Sequence, residues 1–209
     1  MNYSELAFSD AAKVLQEKYG SRTAYEQMEK RNVVDGLTDN EIHFIANQDH
    51  FYLASLGENG FPYIQHRGGP NGFVKVLDNK TIAFVDYSGN KQYISAGNIA
   101  TDPKVAMIMV SYPHKARLKL YAKARVVELA DNPELFARIE VTGYKHKPER
   151  MIILEIAAYD WNCPQHITPR YTAEEVESAF ASQRRRIADL EEDNKRMKAE
   201  LNTLKKQLI

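Results

Sequence analysis

Two short segments carry the residue types that hold an anion. In Gln65-His66-Arg67-Gly68-Gly69-Pro70 an arginine closes an apolar run, and the two glycines after it let backbone approach a ligand closely. A guanidinium there can meet a phosphate through a forked pair of charge-assisted hydrogen bonds. Taken alone, the segment reads as an arginine on a solvated turn. The second segment, Asp86-Tyr87-Ser88-Gly89-Asn90-Lys91-Gln92, follows an apolar run and precedes a helix-compatible stretch, Tyr93 to Ile99. Small polar residues at a strand end, one mobile ammonium and the free N–H groups of a helix start suit a phosphate. No G-x-x-x-x-G-K-S/T loop is present, and no G-x-G-x-x-G opens the helix.

The elements that must position these segments are short and rich in β-branched and aromatic residues. FYLASL (51–56), FPYIQHR (61–67), GFVKVL (72–77) and TIAFV (81–85) are separated by Gly-Glu-Asn-Gly and Asp-Asn-Lys, which is turn chemistry. VAMIMVS (105–111), RLKLYAKARVV (117–127) and MIILEIAA (151–158) continue the series. A helix is predicted over 132–141, with Asn132 as its cap and Pro133 at its first position. Residues 1–48 read as helical. Ala11, Ala12, Val14 and Leu15 fall on one face, and Thr38 with Glu41 has capping-box spacing ahead of Ile42, Phe44 and Ile45. Seven strand candidates with few helices predict a mainly β (α+β) protein, a barrel or a sandwich, of which we favour the barrel.

The 209 residues suffice for one domain with a proper core plus appendages. Lys plus Arg (28) balance Asp plus Glu (28), so the chain is not expected to bind nucleic acid or an anionic membrane by charge. No apolar run approaches the roughly 20 residues of a membrane helix. The N-terminus carries acids and no continuous apolar stretch, unlike a signal peptide. A single cysteine, Cys163, rules out an intramolecular disulfide framework, and these features together predict a cytoplasmic protein.

From about Thr172 the composition shifts to Ala, Glu, Lys, Arg and Leu, with no Gly or Pro. Ile187, Leu190, Asn194, Met197, Leu201, Leu204 and Leu208 fill alternate a and d positions of a heptad. An ordinary amphipathic helix would show a wider apolar stripe, so the narrow seam predicts a parallel two-stranded coiled coil. In a parallel pair Arg186 faces Glu191, Asp193 faces Lys198 and Glu200 faces Lys205, all opposite in sign. The organisation expected is therefore N-terminal helices over 1–48, a barrel over 49–170 and a C-terminal helix over 172–209. Arg184-Arg185-Arg186 ahead of the seam is read as a solvated helix turn, because Glu174, Glu175 and Glu177 are acidic where a DNA-binding zipper is basic.

The segments ASLGENGFPYIQHRGG (54–69), AFVDYSGNKQYISAGNIATDP (83–103) and DWNCPQHITPR (160–170), in that order, resemble the FMN-binding split-barrel superfamily. More narrowly, the chain is similar to the pyridoxamine 5′-phosphate oxidase-related flavoproteins over roughly residues 45 to 170. The resemblance implies a split barrel that dimerises and holds two FMN molecules between its subunits. It implies that Arg67, beside Gln65, and Lys91 hold the FMN phosphate. Phe84, Val85, Asp86 and Tyr87 would line the flavin and ribityl chain, and Asn90 and Gln92 would add hydrogen bonds. Trp161 and Gln165 would come from the partner chain to cover the ring. The oxidase proper continues into an Arg-x-His-x-Arg-like run that holds substrate, whereas here only Arg170 follows Gln165 and His166.

Strand 117–127 alternates Leu118, Leu120, Ala122, Ala124 and Val126 with Arg117, Lys119, Tyr121, Lys123 and Arg125, a half-buried strand with a solvated basic face. Arg117, nearest the strand start, could still reach a ligand. Cys163 and His166 are three apart, but Pro164 between them and the lack of a third orienting group favour a buried structural thiol. The six histidines are scattered, and no metal site is expected. His66, Tyr87 and His166 are the candidates for acid–base work. The function these readings favour is a flavin-dependent oxidoreductase acting on a small molecule. The alternatives are a non-catalytic flavin-binding or storage protein and a dimeric scaffold.

Overall fold

The computed structural model describes residues 2–31 and 35–207. Positions 32–34 of the stretch read as helical, and Leu208 of the heptad seam, lie outside the described residues. The chain divides into two compact units, Met1–Ile167 and Thr168–Ile209.

The first unit opens with helices α1 (Tyr3–Ala7), α2 (Asp10–Lys18), α3 (Arg22–Arg31) and α4 (Asp39–Ala46). Seven strands follow: β1 (His50–Leu56), β2 (Pro62–Gly68), β3 (Lys75–Asp78), β4 (Thr81–Tyr87), β5 (Lys104–Ser111), β6 (Ala116–Glu128) and β7 (Pro148–Asn162). Helix α5 (Ile94–Thr101) lies between β4 and β5, and α6 (Pro133–Ile139) between β6 and β7. Asn132 caps α6 by accepting from the Leu135 N–H at 3.0 Å, with Pro133 at the first turn. The strands form one antiparallel sheet in the order β2-β1-β5-β6-β7-β4-β3.

That sheet rolls up. Phe51 of β1 and Phe84 of β4 stand four strands apart in the order, yet their rings meet edge to face at 5.0 Å. Phe73 completes an aromatic trio, 5.6 Å from Phe51 and 6.4 Å from Phe84. Leu53, Met107, Met109, Leu118, Leu120, Ile152 and Leu154 fill the same interior, each almost wholly buried. Burying each such side chain is worth roughly 1.5–3 kcal/mol, which is what drives the sheet to close on itself. β4 is buried on both faces. Ile82 and Phe84 point into this interior, while Ala83 and Val85 pack under Leu135 and Ile139 of α6. The fold is a split β-barrel, mainly β with helices around it.

Three expectations change on contact with the structure. β3 keeps only four residues, because Gly72 turns with φ +71 and its missing Cβ makes room for the Ala46 carbonyl, 2.7 Å from where that Cβ would stand. The apolar face of α2 is not buried: Val14 is 61% and Leu15 53% exposed. The basic face of β6 is only partly solvated, since Tyr3 of α1 stacks on Tyr121 at 5.1 Å and Lys119 pairs with Asp160 at 3.0 Å.

Glu41 ties α4 to the end of β7. Its carboxylate accepts from the Thr38 N–H (2.9 Å) and Thr38 hydroxyl (2.5 Å), from Tyr159 (3.1 Å) and from the Trp161 indole N–H (2.6 Å). Burial alone would raise the Glu41 carboxyl, but these donors outweigh it and hold the group below its ordinary value. The Tyr159 phenol is pushed up to about 12 by burial and by the adjacent carboxylate. A carboxyl depressed in the folded state contributes stability that is complete above its unfolded value, near 4.5, and is lost as pH falls through the folded one. Glu41→Ala is expected to cost about 2–4 kcal/mol in urea unfolding at neutral pH, with the gap from the parent narrowing below that value. A variant within about 0.5 kcal/mol of the parent would show that these bonds do not hold α4 in place.

Candidate functional site

β2 is an edge strand whose only neighbour is β1, and its residues alternate in burial. Tyr63, Gln65 and Arg67 take the sheltered positions, while Pro62, Ile64 and His66 face out. On β4 the alternation that sends Phe84 inward also sends Asp86 inward. Arg67 and Asp86 meet there in a part-buried ion pair that bridges the first strand of the sheet and the sixth. Ser95 of α5, 1% exposed, donates to the Gln65 amide oxygen at 2.8 Å and adds a second tie across the opening.

Above this bridge lies a cavity of about 280 Å³. Gln65, Arg67, Val85, Asp86, Tyr87, Asn90, Lys91 and Gln92 all line it, on a floor made by Phe73 and Phe84. The two anion-suited segments, nineteen residues apart from Arg67 to Asp86, are thus walls of one pocket. Between β4 and α5 the backbone is strained. Lys91 (φ 60) and Tyr93 (φ 54) both adopt the left-handed conformation that non-glycine residues rarely take. Asn90 supports the turn by accepting from the Gln92 N–H at 3.2 Å. Strain of this kind costs on the order of 1–3 kcal/mol per residue and clusters at functional sites.

The electrostatics are those of an anion site held in check. Burial pushes the Asp86 carboxyl up, with the Arg67 and Arg150 guanidinium groups opposing. Arg150 Nε lies 3.9 Å from Asp86 Oδ2, its other end pairs with Glu149 at 3.1 Å, and its plane covers the Tyr93 ring at 4.6 Å. The Nε–H groups of both Arg67 and Arg150 are buried with no hydrogen-bond partner among the described residues. A buried donor left unpaired costs about 1–3 kcal/mol, and one at the wall of a pocket, as that of Arg67 is, fits a ligand oxygen. Arg150, Glu149, Tyr93 and Ser95 escaped the sequence reading. The cross-strand pairing of Asp86 with Arg150 brings two of them in, and a strand start among Lys145, Lys147 and Glu149 gives no sign of it.

Other expected residues stand elsewhere. Trp161 and Gln165 do not line the pocket of their own chain; the indole, 39% exposed, is fixed by Glu41 and by an edge-to-face contact with Phe44 at 4.8 Å. Arg117 does not line the pocket of its own chain. It donates to the Cys163 carbonyl at 2.6 Å and so holds the turn that follows β7. Cys163, expected to be a buried thiol, is exposed, because the strand ends at Asn162 and Pro164 turns the chain away. Gly69 serves packing rather than a ligand, since its missing Cβ leaves room for Phe73 at 2.6 Å. Of the acid–base candidates, His66 borders the pocket with its ring stacked on His50 at 5.7 Å, and His166 does not line it. Tyr87 borders it too, edge-on to Tyr144 at 5.0 Å, its phenol pushed up by burial and then by Tyr144.

Among solved structures, the chain is similar to a candidate pyridoxamine 5′-phosphate oxidase from Lactobacillus delbrueckii, with TM-score 0.48 and 20% identity, covering 62% of this chain and 97% of that one. It is similar to an FMN-binding protein from Syntrophomonas wolfei, with TM-score 0.44 and 13% identity, covering 70% and 97%. It is also similar to a Clostridium acetobutylicum protein related to general stress protein 26, of the pyridoxinephosphate oxidase family, with TM-score 0.42 and 13% identity, covering 66% and 93%. No curated protein matches the chain. Residues 37–161, more than half of the chain and spanning both walls of the pocket, match the family described as pyridoxamine 5′-phosphate oxidase, and the chain belongs to that family.

Proposed function

We propose that this chain binds FMN in the Arg67–Lys91 pocket, as a homodimer with one FMN at each of two sites between the subunits, and acts as an oxidoreductase on a small molecule. The observation that carries the reading is the wall of the pocket: a half-buried arginine whose Nε–H is buried and unpaired, beside a lysine held in a strained turn. Family membership supports it.

Arg67 and Lys91 hold the phosphate in this reading, and both are needed because a partly buried dianion requires cations or N–H donors beside it. Asp86 keeps Arg67 aimed across the barrel mouth. Asn90 and Gln92 offer amides to the ligand, and Ser95 fixes the orientation of Gln65. Phe73 and Phe84 exclude water from the floor. FMN, when bound, supplies the two-electron exchange with the substrate. The cavity of one chain is about 280 Å³, near the lower end of the roughly 300–1,000 Å³ usual for ligand pockets, and in this reading a second chain completes the enclosure. Trp161 and Gln165 of that second chain are the residues this reading assigns to the cover. The setting is the cytoplasm, in keeping with an exposed free thiol; no helix among the described residues is long and apolar enough to cross a membrane.

The purified protein is expected to show the paired absorption bands of oxidised flavin. In titrations of the apo protein, Arg67→Ala and Lys91→Ala are each expected to weaken FMN binding roughly ten- to hundredfold, from charge-assisted bonds of about 1.5–3 kcal/mol. Riboflavin lacks the phosphate, so riboflavin binding as tight as FMN binding would refute the phosphate assignment.

Gln165→Ala tests the second chain. It is expected to weaken FMN binding by a few fold, for a hydrogen bond worth about 0.5–1.5 kcal/mol, although Gln165 touches no pocket in its own chain. Unchanged affinity would leave the site complete without that residue. Reduction by NADPH separates the functional classes: an oxidoreductase is reduced rapidly, whereas a bound flavin that only light and a deazaflavin can reduce marks a storage protein.

A further inference from the structure

The second unit contains one long helix, α7 (Ala173–Gln207), about 52 Å from end to end at 1.5 Å per residue. Ala181 and Asp193 are half-buried, and every other residue described on it is exposed. The large apolar residues form one stripe. Ile187 (56% exposed), Leu190 (48%), Met197 (57%), Leu201 (52%) and Leu204 (56%) keep the heptad spacing. The helix begins early enough to extend that stripe two heptads upstream, through Phe180 (53%) at an a position and Val176 (41%) at a d position. Positions b, c and f along the whole helix carry no large apolar side chain. A solitary helix with so narrow a stripe gains little from folding, because its stability must come from packing that face.

We propose that α7 pairs with the α7 of a second copy of this chain, as a parallel, in-register, two-stranded coiled coil. The partner is a second copy because the helix complements itself. Arg186 meets Glu191, Asp193 meets Lys198 and Glu200 meets Lys205, each twice by symmetry. Charge alone does not choose the direction. An antiparallel alignment that sets Ile187 against Leu190 also brings Arg184 to Glu191 and Arg186 to Asp193. The seam chooses. A β-branched Ile187 at a with Leu190 and Leu204 at d is the side-chain choice of parallel dimers, and Asn194 at a meets its own counterpart only in that register. Asn194 thereby exchanges some stability for register and for the two-stranded state.

The test uses the full-length chain with its native thiol removed by Cys163→Ser, so that background coupling is absent. In that chain, Met197→Cys places a thiol at a d position well away from the centre of the antiparallel overlap that sets Ile187 against Leu190. Under mild glutathione oxidation it is expected to cross-link to its own counterpart in most of the protein, while Lys195→Cys, on the solvent face, does not. Asn194→Cys is expected to behave as Met197→Cys does, which guards against one variant disturbing the helix. If neither seam variant forms its self-disulfide, the pairing is refuted, even where the protein elutes as a dimer through its barrel. If Met197→Cys couples only when mixed with Phe180→Cys, the helices run antiparallel and the proposed register is wrong.

Discussion

The Arg67–Asp86 ion pair is the constraint on which the site depends. A seven-stranded antiparallel sheet that curls without closing has two ends, and this pair joins a residue of the first strand to one of the sixth. Side-chain exposures of 16% and 9% mean that both charges are largely withdrawn from water. Such a pair is seldom a net source of stability, because desolvation offsets most of the attraction. Burial raising the Asp86 carboxyl despite two nearby guanidinium groups says the same. What the pair does achieve is direction. It fixes where Arg67 points, in a strand that has a neighbour on one side only.

Apolar packing supplies the stiffness that lets so costly a pair persist. Phe51, Phe73 and Phe84 lock β1, β4 and the loop ahead of β3 together directly beneath it. Val85, between Phe84 and Asp86, is buried on the opposite face under α6, so β4 is gripped from both sides. At the other end of the barrel Glu41 performs a related task with a single carboxylate, gathering Thr38, Tyr159 and Trp161. The two sites differ in one respect. Glu41 has a donor for each bond it can accept and sits below its ordinary value, whereas Asp86 shares two guanidinium groups whose Nε–H donors stay unpaired. The first arrangement is satisfied within the chain, and the second has donors to spare for something else.

Much of this was legible in the sequence, and the failures have physical reasons. The period-two runs gave all seven strands because one face of each is committed to the interior. The walls of the pocket were legible because Arg67, Lys91 and their small polar neighbours are concentrated in two short segments. Arg150 was not, since its place beside Asp86 comes from β4–β7 pairing across more than sixty residues, and no local pattern records register. The hydrogen bond from the Trp161 indole to Glu41 was not legible either, because it joins residues 120 apart through the packing of α4 on the end of β7. Cys163 was misjudged because free cysteines are usually buried, and the turn after β7 overrides that tendency.

On the proposed reading a second chain would partner both units, and the two associations would reinforce one another. The barrel holds a cavity of about 280 Å³, and the helix presents an exposed apolar seam. Neither association has to be strong. A helix of five heptads interrupted by Gln183 and Asn194 pairs weakly from free solution, and a pocket that closes only on dimerisation binds weakly at low protein concentration. Joined in one chain, each contact raises the effective concentration for the other, so that their equilibrium constants multiply. Under the proposed coupling, pairing of the tails would favour flavin binding at the barrel. It would lower the protein concentration at which the pocket is complete, and ligand binding would in turn stabilise the paired tails by the same free energy.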